Sequence, residues 1–269
     1  MQLRRVPLHR AQRAVVHRVP HVPDLEGVPL LVLLLQQSRL LHVLVRELTP
    51  SQQNLFRSFA HRLLLLDLAF SIFNAHLIEK VEGSIGPVSV AVFNLGSQIG
   101  NRSLSETSDK VFERGWRMAT LALFRTAKKL FPYMEKRGSG TLLVTSSTAA
   151  VRGNKGQHSH AASMGGRRML CQTLNAEFSS KGIHTTHIII DGAVDAPDTL
   201  GKMLGEEAYQ ALRKEKGLEK DGLLLPDKIA ETYYHLADQH RSAWTHEVDL
   251  RAYNDDPWWN TPRNIANSI

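Results

Sequence analysis

The chain has 269 residues and a formal net charge of +7, long enough for one substantial hydrophobic core. Its Lys and Arg residues are dispersed, with no zinc-finger or single-strand-binding pattern, so the basic balance does not point to specific nucleic-acid binding. Cys171 is the only cysteine, which excludes an intrachain disulfide and a cysteine-rich metal site.

Residues 1–27 read as a basic extension, with Arg4, Arg5, Arg10, Arg13 and Arg18 and no acidic residue before Asp24. Such a composition fits a mitochondrial or plastid transit segment, but Pro7, Pro20 and Pro23 interrupt the amphipathic helix such a signal favours. A solvated extension on a cytoplasmic protein is therefore the expectation. Val28 to Leu35 is apolar but ends at Gln36 and Gln37, too short to span a bilayer and suited to a buried strand or helix turn. No transmembrane segment is expected. The first 82 residues hold a single glycine, Gly27, and no G-x-G-x-x-G turn of the kind that cradles a dinucleotide pyrophosphate.

Leu63 to Leu66 form a short apolar run ending at Asp67, followed by a helix through Glu82 with Phe70, Phe73 and Leu77 at helical spacing. Gly83 and Gly86-Pro87 stop it, and Val88 to Phe93 read as a buried strand. A second helix spans Leu121 to Tyr133, with Leu123, Ala127 and Leu130 sharing an apolar face. Gly138 and Gly140 precede a strand from Thr141 to Thr145; a helix follows over Ala161 to Ser180, then a strand over His184 to Ile190. This alternation predicts an α/β fold with a mainly parallel sheet flanked by helices, in a single domain over residues 28–269.

Residues 195–228 mix four glycines, Gly201, Gly205, Gly217 and Gly222, with charged residues and read as a solvated loop or a mobile helix-loop lid. The pairs Lys128-Lys129, Lys136-Arg137 and Arg167-Arg168 read as solvated helix residues. His158 and His160 lack the partners and spacing of a zinc site, so no metal is expected. Trp244 reads as a core or interface anchor, and Trp258 and Trp259 as cover for a pocket or a partner surface.

Asp67, the turn Asn94-Leu95-Gly96, Ser146-Ser147, the helix near His160, Asp191-Gly192 and the late segment Ser242 to Leu250 occur in an order that resembles the short-chain dehydrogenase/reductase family over residues 60 to 252. The resemblance implies a three-layer Rossmann-like domain with an atypical N-terminal region. It also implies an NAD- or NADP-dependent oxidoreductase acting on a small alcohol or carbonyl substrate, and a homo-oligomer. On the family pattern, Asp67, Asn94, Gly96 and Gly192 hold the cofactor. Ser147 orients the substrate oxygen, and His160, thirteen residues on, stands at the position of the family's tyrosine.

Besides His160, four positions depart from that pattern. Met164 replaces the lysine that follows the tyrosine by four residues, Ala119 falls at the asparagine that supports a relay water, Asp191 precedes Gly192 where the family has proline, and Ala196 stands for a threonine near the carboxamide. His160 can transfer a proton, whereas Met164 cannot supply a cation. The alternative expectation is a catalytically inactive dehydrogenase-like scaffold that mediates protein association, with Leu121, Phe124 and Leu130 as a candidate contact face.

Overall fold

The computed structural model describes residues 30–33, 71–84, 86–95, 101–217 and 219–260. Among them, β1 (Leu30–Leu33), β2 (Val90–Phe93), β3 (Gly140–Ser147), β4 (Ile183–Asp191) and β5 (Glu247–Arg251) form one all-parallel sheet in chain order. The helices are α1 (Ser71–Ser84), α2 (Asp109–Trp116), α3 (Ala122–Arg137), α4 (His158–Phe178), α5 (Lys202–Leu204), α6 (Glu206–Lys216) and α7 (Pro226–Ala237).

The central strands are apolar on both faces because helices cover both. Ala91 and Phe93 of β2 and Leu142 and Val144 of β3 pack against Ile78 of α1, Leu123, Leu130 and Met134 of α3, and Cys171 of α4. The alternate residues, Val92, Leu143 and Ile188, pack against Ile229, Tyr233 and Leu236 of α7. Two periods of two, one per face, thus set the three layers. The expected three-layer α/β architecture is what the chain adopts.

Local chemistry explains the element ends. Ser108 caps α2, its hydroxyl accepting from the Val111 N–H at 3.4 Å. The helical path then runs through a π-helical segment, Arg117–Leu121, directly into α3, so it begins twelve residues earlier than the expected start at Leu121. Val111, Phe112, Gly115 and Trp116 recur at helical spacing over α2, but of these only Gly115 is buried, so the helix adds little to the core. At the far end, Gly182 has φ +83°, and a Cβ there would fall 1.9 Å from the Gly138 carbonyl oxygen. Only glycine lets the turn entering β4 lie against the turn entering β3.

Three expectations are corrected. Residues 197–204 and 206–216 are helical rather than a solvated loop, because Tyr209 of α6 is buried and its hydroxyl donates to Asp195, which also pairs with Arg213 at 3.0 Å. Leu121, Phe124 and Leu130 do not share a face: Leu130 is fully buried in the core, whereas Phe124 is 46% exposed. Arg167 is not a solvated helix residue; it is 2% exposed.

Candidate active site

Parallel strands carry ligands at their carboxyl ends. Here three neighbouring strands end along one edge, β2 running into Asn94, β3 ending at Ser147 and β4 running into Asp191-Gly192. Asn94, Ser147 and Gly192 therefore mark consecutive positions on that edge. Asp67 and Gly96 lie outside the described residues.

His160 reaches Ser147 from the first turn of α4, with Nε2 at 3.1 Å from the Ser147 hydroxyl oxygen. In the tautomer with Nε2 unprotonated, the Ser147 O–H donates to it. Polar stitching sets the helix start. Ser159 donates to the Val111 and Phe112 carbonyls of α2 at 3.3 and 3.2 Å. Ser163 donates to the Ser159 carbonyl at 2.6 Å, and Thr120 donates to the Ser163 carbonyl at 2.8 Å. Before the helix, the Arg102 N–H bonds the Gly156 carbonyl at 2.9 Å. A shallow crevice beside His160 is lined in part by Arg102, Thr107, Gln157 and His158.

The positions that depart from the family pattern are mostly apolar and packed. Met164 is 2% exposed, with the Ser146 hydroxyl at 3.7 Å from its sulfur. Ala119 is buried in the π-helical segment, and Ala196 is buried beyond the end of β4. The Asp191 carboxylate accepts from the Trp258 N–H at 3.0 Å and from Arg251 at 3.4 Å. Trp258 also donates its indole N–H to Asp249 at 2.9 Å, and its carbonyl accepts from Arg152 at 2.8 Å. The C-terminal segment thus lies across the ends of β4 and β5. Burial, with the Asp191 charge adding to it, raises the Asp249 carboxyl above the usual range against the lowering hydrogen bond from Trp258.

Reading the residues in sequence missed two features. Arg167, seven residues or about two turns after His160 on α4, is buried and bonded to backbone carbonyls of Leu95, Ala119 and Thr145; the spacing puts both on one helix face but does not by itself signal burial. Behind it, His187 of β4 and Arg168 of α4 converge on Glu247 of β5 at 2.9 and 2.6 Å. Burial depresses the His187 pKa to about 4 despite the Glu247 carboxylate. Burial pushes the Cys171 thiol up to about 12, which leaves it inert as a nucleophile. Among the described residues no group of three or more His, Cys, Asp or Glu could hold a metal ion, and no helix is long and apolar enough to cross a membrane.

The profile of the short chain dehydrogenase family matches residues 41–202. The chain belongs to this family. Among its relatives, this short-chain dehydrogenase is 29% identical over 139 residues to the peroxisomal multifunctional enzyme type 2 of Mus musculus, a match covering 52% of this chain and 18% of that protein. It is 27% identical over 171 residues to nodulation protein G of Azospirillum brasilense, covering 61% of this chain and 64% of the relative. The matches thus span less than two thirds of either relative's length.

Two solved structures are similar. A short-chain dehydrogenase from Rhodopseudomonas palustris aligns with a TM-score of 0.55 at 27% identity, over 70% of this chain and 73% of that one. An alcohol dehydrogenase from Thermococcus sibiricus, complexed with 5-hydroxy-NADP, aligns with a TM-score of 0.60 at 20% identity, over 81% of this chain and 92% of that one. The second likeness is one of fold.

Proposed function

We propose that this short-chain dehydrogenase is an NAD- or NADP-dependent oxidoreductase acting on a small alcohol or carbonyl compound, in the cytoplasm. The observation that carries the reading is the Ser147–His160 contact of 3.1 Å at the carboxyl edge of the sheet. A hydroxyl and an imidazole at that distance can together bind one substrate oxygen and move its proton. The cofactor-bound Thermococcus sibiricus structure has the same fold and supports the choice of cofactor.

The donor set along this edge fits a nicotinamide cofactor through neutral groups. The Asn94 amide follows β2, and Gly192, with φ +141°, follows β4. Asn94, with Asp67 and Gly96 on the family pattern, would hold the cofactor on one side and Gly192 on the other. Met164 offers it no cation, so the ribose loses the charged partner the family pattern supplies. When bound, the cofactor supplies or accepts a hydride at the substrate carbon.

This chain's own residues handle the oxygen. In the direction of alcohol oxidation, Ser147 accepts or donates a hydrogen bond at the substrate oxygen and fixes its orientation. His160, neutral at Nε2, takes the hydroxyl proton, and in the reverse direction it returns that proton to the developing alkoxide. Purified protein titrated with each of the four nicotinamide forms is expected to bind at least one saturably, and His160→Ala is expected to lower substrate-dependent turnover. Absence of binding to all four by a folded sample overturns the reading in favour of an inactive scaffold.

The protein is further proposed to act as a homo-oligomer. Phe112, Trp116 and Phe124 are 40–46% exposed along the continuous α2–α3 path, where a second copy can cover them. Solution mass at physiological concentration is expected above that of one chain, and a monomer would contradict this part.

A further inference from the structure

Arg167 is the largest fully buried side chain among the described residues. Among those residues no carboxylate pairs with it. Its guanidinium instead donates through Nε to the Ala119 carbonyl at 3.2 Å, through Nη1 to the Thr145 carbonyl, and through Nη2 to the Leu95 carbonyl at 2.6 Å, while its carbon lies 5.1 Å from the centre of the Phe93 ring. Desolvation lowers its pKa only to about 10, so the group stays cationic near neutral pH. A buried cation without a counter-ion is a costly choice for filling a core position that a leucine could occupy.

The identities of the three acceptors say what that charge does. Leu95 follows Asn94 at the end of β2, on the cofactor side of the edge. Ala119 lies in the π-helical segment that feeds α3, and Thr145 precedes Ser147 by two residues in β3. Arg167 itself sits on α4, in line with His160 and Met164 at spacings of seven and three. One planar, five-donor fork therefore joins the Asn94-Leu95 turn, the π-helical segment, the serine strand and the histidine helix.

We infer that Arg167 is a positioning residue that clamps the Asn94-Leu95 turn to the helix and strand carrying His160 and Ser147. The positive charge missing at Met164 is present three residues further along α4, where it orders backbone rather than touching a ligand. The inference rests on the cofactor reading above for its functional consequence. The structural clamp can be tested without it.

The test compares full-length wild-type protein with Arg167→Met and Arg167→Lys, each checked for folding by circular dichroism and melting. The first measurement is the dissociation constant of the best-bound nicotinamide form, set against kcat at saturating cofactor. The second is amide hydrogen exchange in the cofactor-free protein, comparing residues 92–95 and 117–121 with residues 186–190. For Arg167→Met the cofactor constant is expected to rise about tenfold, the scale of one lost hydrogen bond from a charged donor, while kcat changes by no more than about threefold. Exchange at 92–95 and 117–121 is expected to quicken while 186–190 stays unchanged. A merely space-filling Arg167 would speed exchange everywhere or nowhere and would leave the cofactor constant alone.

Arg167→Lys keeps the charge but cannot fork to three carbonyls, so both changes are expected in the same direction and smaller. If Arg167→Met does not fold, the lysine variant decides alone. Unchanged cofactor affinity together with unchanged exchange at 92–95 in a folded variant overturns the inference. If wild-type protein binds no nicotinamide form, the cofactor reading fails, and the exchange measurement still decides the clamp.

Discussion

On the substrate side of the site, Ser147 and His160 meet at 3.1 Å from a strand end and a helix start, and His160 lines the crevice. On the cofactor side, the position where the family pattern calls for lysine holds Met164, which is buried, and the nearby cation on α4 is Arg167, which is spent on backbone carbonyls. The contrast shows which part of the family's chemistry has a physical substitute. Proton handling needs one titratable group at the right distance, and a histidine can provide it. A cation in the cleft needs a side chain that is both long and solvent-facing, and a buried thioether cannot provide it.

The largest expected effect breaks the substrate side. His160→Ala removes the proton-transfer group and should lower kcat/KM by about 100-fold or more, or roughly 3 kcal/mol of transition-state stabilisation. Ser147→Ala should cost less, because the imidazole can still bond the substrate oxygen. Steady-state kinetics with and without each change separates the two.

On the cofactor side, restoring the family's lysine should fail. Met164→Lys places an ammonium in a site that is 2% exposed and on the same helix face as the buried Arg167 cation. A destabilisation of about 3 kcal/mol is expected from chemical denaturation. Combining it with Arg167→Leu should cost less than the two single changes summed, because one of the two like charges is gone. Additive costs would show that Arg167 does not exclude a lysine from this half of the site.

Behind both halves, the His187–Glu247–Arg168 cluster should make stability fall with acid. His187 has a folded pKa near 4, below its ordinary unfolded value of about 6.5, so the unfolded chain binds a proton more readily. Its contribution is complete above about pH 6.5 and is lost as pH falls toward 4. Glu247 acts in the same direction: its carboxyl is held low first by the Arg168 hydrogen bond and further by His187. The His187 share is at most roughly 3 kcal/mol. His187→Gln should flatten that slope, as denaturation curves between pH 7 and pH 4 would show.

A smaller effect belongs to the C-terminal segment. Trp258→Phe removes the indole N–H that donates to Asp249 at 2.9 Å and should cost about 1 kcal/mol. A loss of substrate affinity beyond that stability change would mark the segment as part of the substrate side.

Much of the sheet was legible in the sequence because β2, β3 and the Ile188–Ile190 half of β4 are short apolar runs, and the helix over α4 differs from its expected span only at the ends. The Ser147–His160 contact falls at the two positions that the family resemblance singled out, thirteen residues apart. Other elements were hidden for physical reasons. α2 is only eight residues long and buries only Gly115, while its stripe of Val111, Phe112 and Trp116 stays partly or largely at the surface. α7 begins at Pro226, directly after a charged, glycine-bearing stretch that reads as loop. Arg167 was hidden because a paired arginine reads as solvated, and nothing local in the sequence reveals that three carbonyls from distant segments surround one of the pair and a glutamate the other. Asp67 and Gly96, legible only through family resemblance, lie outside the described residues.

The most direct test of the central claim, proton transfer by His160 in a nicotinamide-dependent reaction, is single-turnover oxidation of bound reduced cofactor by a panel of small carbonyl compounds. The loss of reduced-nicotinamide absorbance is followed in wild-type protein and in His160→Gln. The expected result is bleaching by the wild type with at least one carbonyl and a rate about 100-fold lower in the variant, at unchanged cofactor affinity. Equal rates in the two proteins, or no bleaching by the wild type with any member of the panel, would contradict it.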